Sequence, residues 1–193
     1  MGLNEIVENI IHSLRYRTVR KYLTSCETLV DLGCGATFRF LKRHGGIAKQ
    51  CWGLDVTVAD KQIGHIRLRH HNITKRLPFK DNSVDLMTCL AVMEHIEDPI
   101  PILGECYRVL SPDGRLIVTT PSQAGMMVHE ALRRMRLVQD VEKDEHKDFA
   151  MSAEKLANWA TKAGFQVQEA KTFEIGLNIL MVAQKQNLCM TNA

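Results

Sequence analysis

The sequence predicts an α/β fold: a mostly parallel sheet, covered on both faces, with an antiparallel last strand. Three observations predict it. Strand-length runs of aliphatic and β-branched residues alternate with stretches of helical periodicity, the pattern of a parallel sheet with crossover helices. The first such run, Thr28 to Leu32, passes into a helix through two glycines, Gly33 and Gly35, set one residue apart. The last two strand-like runs are separated only by Gly176, too short a link for a parallel crossover.

The elements follow in order. Residues 3–23 read as a helix, with Ile6, Ile10 and Leu14 forming an apolar stripe. Arg15, Arg17, Arg20 and Lys21 follow as a basic cluster, read either as a solvated face or as a means of holding an anionic substrate. After the opening strand a short helix reaches Arg43 and stops at Gly45-Gly46. Cys51 to Val56 is the second strand, and Thr57 to Gly64 is too short for much of a helix. Ile66 to His70 and Val84 to Leu90 are the third and fourth strands, with turn material at 77–83 between them. Met93 to Pro99 reads as a loop, Ile100 to Leu110 as a helix and Arg115 to Thr120 as the fifth strand. Met126 to Val138 is expected to be helical, followed by a mixed-charge run at 140–148. Ser152 is placed to cap a helix that Gly164 ends. Phe165 to Ile175 and Leu177 to Lys185 complete the sheet.

With 193 residues the chain is expected to be one domain with its own core. The net charge of +3 is too small to argue for nucleic acid. No apolar run approaches the ~20 residues of a membrane span. Glu5 and Glu8 stand where a secretory signal would be basic and then apolar. Six scattered cysteines with no C-x-x-C pair point to free thiols and a reducing, cytoplasmic setting.

The glycine turn carries the functional signal. A strand, a tight turn and a helix start present backbone N–H groups to a small polar ligand. The P-loop string is absent, and a dinucleotide site would need a third glycine where Phe38 stands. Asp31, beside the turn, favours a cationic group over a pyrophosphate. Asp55, ending the second strand, is placed to accept ribose hydroxyls. A nucleoside with a positive amino-acid tail fits this charge pattern.

Several segments in order carry a family resemblance: Val-Asp-Leu-Gly-Cys-Gly (30–35), Gly-Leu-Asp-Val (53–56), Leu-Pro-Phe (77–79), Asn-Ser-Val-Asp-Leu (82–86), Met-Glu-His-Ile-Glu-Asp-Pro (93–99) and Glu-Cys-Tyr-Arg-Val-Leu-Ser-Pro-Asp-Gly-Arg-Leu (105–116). The chain resembles the class I S-adenosylmethionine-dependent methyltransferases, particularly those with small-molecule and lipid-intermediate substrates, over roughly residues 28–121. The resemblance implies a Rossmann-like seven-stranded methyltransferase sandwich and S-adenosyl-L-methionine as cofactor, with S-adenosyl-L-homocysteine as product. It implies that Asp31, Gly33, Cys34 and Gly35 line the methionine end, with Asp31 toward the ammonium. Thr37 replaces a third glycine of the family and offers a hydroxyl to the carboxylate. Asp55 would hold the ribose, Val56 would pack on the adenine, and Asn72 with Ile73 would meet its amino edge. Leu90 and Ala91 would face the methionine portion.

Methyl transfer from a sulfonium relies largely on proximity and orientation. His95, after the fourth strand, is the candidate general base, and the other reading makes it a tether for the loop around Glu94 and Asp98. No metal is expected, since Ala91 stands where the metal-assisted quinone O-methyltransferases have a glutamate. His70 and His71 point to opposite sides of a strand, and His129 and His146 are weighed as substrate contacts. Specificity is assigned to an insertion, 122–151, acting as a lid with help from the helical extension 3–24. Its methionines suit an adaptable apolar surface, while a plain solvated helix is the other reading. The expected partner is a small-molecule or lipid-like substrate. The alternatives are a catalytically silent cofactor-binding or partner protein of the same fold and, more remotely, a dehydrogenase.

Overall fold

The computed structural model describes residues 2–135, 137–138 and 151–186. Helix α1 (Leu3–Val19) runs into a 3₁₀ turn at Arg20–Tyr22. There follow β1 (Cys26–Leu32), α2 (Arg39–His44), β2 (Ala48–Asp55), β3 (Lys61–Ile63), β4 (Ile66–His70) and β5 (Val84–Leu90). A 3₁₀ turn at Met93–His95 leads to α3 (Pro99–Val109), β6 (Leu110–Pro121), α4 (Gln123–Arg134), α5 (Ala153–Lys162), β7 (Phe165–Phe173) and β8 (Asn178–Lys185).

The strands form one sheet in the order β3-β4-β2-β1-β5-β6-β8-β7. β1 pairs in parallel with both β2 and β5, so the chain reverses its direction of winding there. Ligands of open α/β sheets sit outside the carboxyl ends of the strands at such a point. β8 runs against β6 and against β7, and β3 runs against β4.

Alternation along each strand divides the core in two. Val30, Leu32, Met87, Cys89, Leu116 and Val118 face α3 and α5, where Ile102, Leu103, Leu156 and Ala160 are buried. Leu29, Leu86, Ile117, Leu180 and Val182 face α1 and α2, which contribute Tyr16, Val19, Phe40 and Leu41. No described helix is long and apolar enough to cross a membrane.

The sheet has eight strands where the sequence led us to expect seven. The extra strand is β3, in the segment too short for a helix. A two-residue loop with Gly64 at φ +59 folds it back so that Ile63 stands opposite Ile66. Helix α4 starts one turn before the expected Met126, because Ser122 caps it by accepting from the Gly125 N–H at 3.1 Å. Of the expected lid, residues 136 and 139–150, His146 among them, lie outside the described residues.

Two of the motif strings serve this frame. The Arg108 guanidinium donates from Nε to Glu105 Oε1 (2.8 Å), from Nη1 to the Phe79 carbonyl (3.0 Å) and Asp81 (2.6 Å), and from Nη2 to the Leu77 carbonyl (3.1 Å). Glu105 in turn accepts from the Leu77 N–H at 2.8 Å. One fork thus fastens the 77–81 turn to α3.

Candidate active site

The turn after β1 is shaped by two left-handed glycines, Gly33 at φ +70 and Gly35 at φ +67. They differ in what surrounds them. A Cβ on Gly33 would lie 2.4 Å from Val92 Cγ2, so this glycine permits close packing against the loop after β5. A Cβ on Gly35 would meet nothing within 4 Å, so this glycine leaves its backbone open to a ligand.

Asp55 is built into the same turn. Its Oδ2 accepts from the Gly35 N–H at 2.8 Å, and its Oδ1 accepts from the Thr57 N–H (2.8 Å) and hydroxyl (2.6 Å). Three of about four acceptor positions on the carboxylate are filled, which leaves room for a hydroxyl. Asp31, 2% exposed, accepts from the Thr88 hydroxyl at 2.6 Å. Burial pushes its carboxyl up to about 7, against the pull of the Thr88 hydrogen bond and with a further push from Asp55. A cation beside Asp31 would relieve that cost.

The other expected residues fall around this turn. Cys34 is buried beside it, and burial together with Asp31 and Asp55 pushes its thiol far above the ordinary range, which removes it as a nucleophile. Thr37 is exposed next to Phe38, a non-glycine at φ +36. Val56 is exposed at the lip. The His71 N–H donates to the Asp55 carbonyl (3.1 Å), which brings Asn72 and Ile73 alongside. Asn72 turns its Oδ1 inward to the Thr74 N–H (3.0 Å) and hydroxyl (2.8 Å), while Ile73 packs into the α3-side core. Leu90 is half-buried, and Ala91 follows at φ +57 with its N–H on the Thr119 carbonyl at 2.8 Å. A left-handed alanine is a strained residue, as recurs at ligand sites.

His95 is exposed in the 3₁₀ turn that begins one residue after Val92, under Gly33. The loop is tethered by its neighbour: Glu94 Oε2 accepts from the Thr120 hydroxyl at 3.1 Å. Burial raises the Glu94 carboxyl, while its own backbone bond and the charges of His95 and Arg15 pull it back. His70 places Nδ1 3.3 Å from the Val58 carbonyl, and His71 keeps a buried Nε2 without a partner. His129 lies on α4. Among the described residues no three His, Cys, Asp or Glu side chains are grouped to hold a metal ion.

A polar layer beneath α1, toward β8, lies beyond the residues read from the motifs. It comprises Arg15, Thr119, Asn178 and Glu174, each with a buried polar atom that has no partner. Arg15 stood in the basic cluster of the sequence. Thr119-Thr120, closing an otherwise apolar strand, was the only other signal, because Glu174 and Asn178 flank a turn that no motif marks.

Comparison with known proteins follows the same lines. Residues 30–118 match the family described as "Methyltransferase domain". A ubiquinone biosynthesis O-methyltransferase of Neisseria meningitidis serogroup A is 31% identical over 195 residues, covering 93% of this chain and 79% of the relative. A protein of Mycolicibacterium smegmatis named "Probable S-adenosylmethionine-dependent methyltransferase" is 32% identical over 102 residues, and the matched part is 38% of its length. Among solved structures, the S-adenosylmethionine-dependent methyltransferase of Mesorhizobium loti superposes with a TM-score of 0.68 over 89% of this chain and 97% of that one. At 17% identity that likeness speaks for the fold alone.

Proposed function

The chain belongs to the class I S-adenosylmethionine-dependent methyltransferases, and we propose that it methylates a hydroxyl oxygen of a small or lipid-like acceptor. The observation that carries the cofactor seat is the open side of Gly35, between the buried Asp31 and the Asp55 carboxylate. The residues present fit the group: an exposed backbone for its amino-acid end, a buried carboxyl for its ammonium and a carboxylate with room for ribose hydroxyls. When bound, S-adenosylmethionine supplies an electrophilic methyl group that a nucleophile displaces in line.

The chain's own residues then divide the work. Asp31 holds the ammonium, Gly33, Cys34 and Gly35 shape the methionine seat, and the exposed Thr37 offers its hydroxyl to the carboxylate. Asp55 takes the ribose, and Val56 and Ile73 flank the adenine. With its carbonyl on Thr74, Asn72 keeps its amide N–H groups for the acceptor nitrogen beside the adenine amino group. Leu90 and Ala91 close the methionine side. His95, exposed on the loop packed against Gly33, takes the proton of the acceptor hydroxyl. Residues 3–24 and the described part of the 122–151 insertion, α4 above all, are the segments assigned to the acceptor; the exposed Met127 and Met135 on and after α4 support an apolar lid. Oxygen as the acceptor atom is carried over from the name of the Neisseria relative. The five described cysteines, all free thiols, support a cytoplasmic setting.

Titration with S-adenosylhomocysteine by calorimetry tests the seat, and transfer of labelled methyl from S-adenosylmethionine to hydroxyl, amine and carbon acceptors tests the atom. Binding with transfer to hydroxyls is expected. Transfer to amines alone would overturn the oxygen assignment. His95→Ala should lower turnover and leave homocysteine-nucleoside affinity unchanged, whereas unchanged turnover would make His95 a loop residue.

A further inference from the structure

Helix α1 lies on the sheet the opposite way round from an ordinary surface helix, which turns its apolar stripe to the core. Its inward side carries Tyr16 and Val19, packed into the α2-side core, with His12 against the Tyr16 ring and the buried Arg15 beside them. Leu3, Ile6, Ile10 and Leu14 form one row at steps of three and four residues, and this row faces outward. They are 64%, 37%, 53% and 45% exposed. Val7 and Ile11, both half-buried, widen the row along one side. From Leu3 to Leu14 it runs about 16 Å, at the helical rise of about 1.5 Å per residue. Single exposed apolar residues need no explanation, but a contiguous row marks an interaction surface.

The charges around the row are of one sign. Arg17 and Lys21 continue it by the same steps, and both are exposed, as is Arg20. Along the flank formed by Asn9 and Ser13 lies α2. Arg39 Nη1 donates to Asn9 Oδ1 at 3.0 Å and Arg43 Nη1 donates to Ser13 Oγ at 3.3 Å, so neutral partners hold two guanidinium groups against the stripe. Lys42 is exposed on the same short helix. Against these cations the two helices set only Glu5, exposed, and Glu8, half-buried.

We propose that the outward face of α1 docks on a membrane surface rich in anionic phospholipid. Leu3, Ile6, Ile10 and Leu14 enter the boundary between head groups and acyl chains, while Arg17, Arg20, Lys21, Arg39 and Arg43 meet the lipid phosphates. An apolar row with cations at its end and along one flank is the arrangement of a helix lying in the interfacial plane. Guanidinium forks suit phosphate oxygens in particular. A second copy of the chain fits the face less well. A parallel α1–α1 pair would set Arg17 against Arg17, and an antiparallel one would bring the two Arg39–Arg43 flanks together, both like-charge contacts. The stripe is turned away from the sheet, so docking leaves the inward side of α1 to the acceptor. Arg39 opens α2 just after the Gly33–Gly35 turn, so the docked face adjoins the cofactor end of the sheet. The proposal stands on the placement of α1 and α2 and does not require methyl transfer.

Co-sedimentation of the full chain with vesicles tests this, one set of phosphatidylcholine alone and one of phosphatidylcholine and phosphatidylglycerol in equal parts. Binding to the anionic set is expected to be at least about tenfold tighter than to the neutral set, and to weaken as sodium chloride is raised. Ile10→Gln removes one inserted side chain and should weaken binding about tenfold. Arg17→Gln combined with Lys21→Gln should weaken it roughly 10- to 30-fold, at about fivefold for each cation near an anionic surface. All three positions are exposed, so both variants should melt as the parent does, which separates lost docking from lost folding. Should Ile10→Gln melt early, the Arg17 and Lys21 pair decides alone. No sedimentation with the anionic vesicles, equal sedimentation with the neutral ones, or parent-like binding by the variants overturns the proposal. A vesicle-free dimer in analytical ultracentrifugation that Ile10→Gln disperses would assign the stripe to a second copy and overturn it as well.

Discussion

Replacing Asp31 by asparagine separates the energetics of the fold from those of the site. The folded carboxyl sits at about 7 against an ordinary 3.8. At about 1.4 kcal/mol per pH unit, that is a ceiling of about 4 kcal/mol for holding the ionised form folded. The sign follows from proton uptake: between pH 4 and 7 the folded chain carries a proton that the unfolded chain has lost. The stability contributed by neutral Asp31 is therefore complete below about pH 4 and is lost as the pH rises through about 7. Asparagine keeps an oxygen for the Thr88 hydroxyl and never ionises. At pH 8 the variant should be more stable than the parent by about 1–3 kcal/mol, the ceiling less the cost of its unpaired amide N–H groups. At pH 4, where the parent's carboxyl is neutral in the fold, that same amide cost stands nearly unopposed and the variant should be the less stable of the two by about 1–3 kcal/mol. Urea melts at both pH values measure this. The variant should also bind S-adenosylhomocysteine roughly 10- to 100-fold less tightly, since a charge-assisted bond to the ammonium is gone. Near pH 6.5 the parent should release protons on binding, seen in buffers of different ionisation enthalpy, and the variant should not. Equal destabilisation at both pH values would refute the buried-carboxyl account. Unchanged affinity would refute the ammonium assignment.

The two turn glycines should fail differently. Gly33→Ala drives a Cβ toward Val92 at φ +70 and should lower stability by about 2–3 kcal/mol in thermal melts. Gly35→Ala has space and only its φ of +67 to oppose it, about 1 kcal/mol, so its larger effect should be on cofactor binding; equal effects on both would contradict the division. Asp55→Ala should weaken S-adenosylhomocysteine by about 1–3 kcal/mol by calorimetry, and an unaltered affinity would remove the ribose role. Arg108→Lys loses the fork between α3 and the 77–81 turn and should cost about 2–3 kcal/mol in urea unfolding, whereas a cost below about 0.5 kcal/mol would make the fork incidental. Cys34 should escape iodoacetamide at pH 8 in the native protein, because burial suppresses its thiolate; mass spectrometry showing Cys34 labelled as fast as a peptide thiol would contradict this.

The parallel half of the sheet was legible because its strands are short apolar or alternating runs bounded by turn residues. Val84 to Leu90 and Ile66 to His70 appear with the expected bounds. The antiparallel β7–β8 pair followed from the brevity of the link at Gly176. Strand β3 was illegible, since Lys61, Gln62 and Ile63 are all exposed and form a strand only through the edge they pair with. The glycine turn and its two aspartates were readable because they are close in sequence. The layer of Arg15, Thr119, Glu174 and Asn178 was not, because it joins one helix to strand ends more than 100 residues away and depends on which face each side chain takes. Even Asp31, found by motif, gave no hint that its carboxyl would be pushed up to about 7. That depends on complete burial, a tertiary property.

The two margins of the sheet bear on how the protein behaves when concentrated. An open strand edge is a template for pairing with another chain, and natural sheets blunt it with shortness, charge and bulges. Here one margin is three residues long and begins with Lys61. The other, β7, has its register broken between Val167 and Glu169. Just past the break, Glu169 takes the Tyr22 hydroxyl at 2.5 Å and Lys171 at 2.6 Å, so charged side chains of β7 itself and an aromatic one from the start of the chain cover the rim. Resistance to edge-to-edge aggregation is thereby placed in side chains remote from the chemistry. Substitutions at Tyr22 or Glu169 would expose it as lost solubility before any loss of methyl transfer.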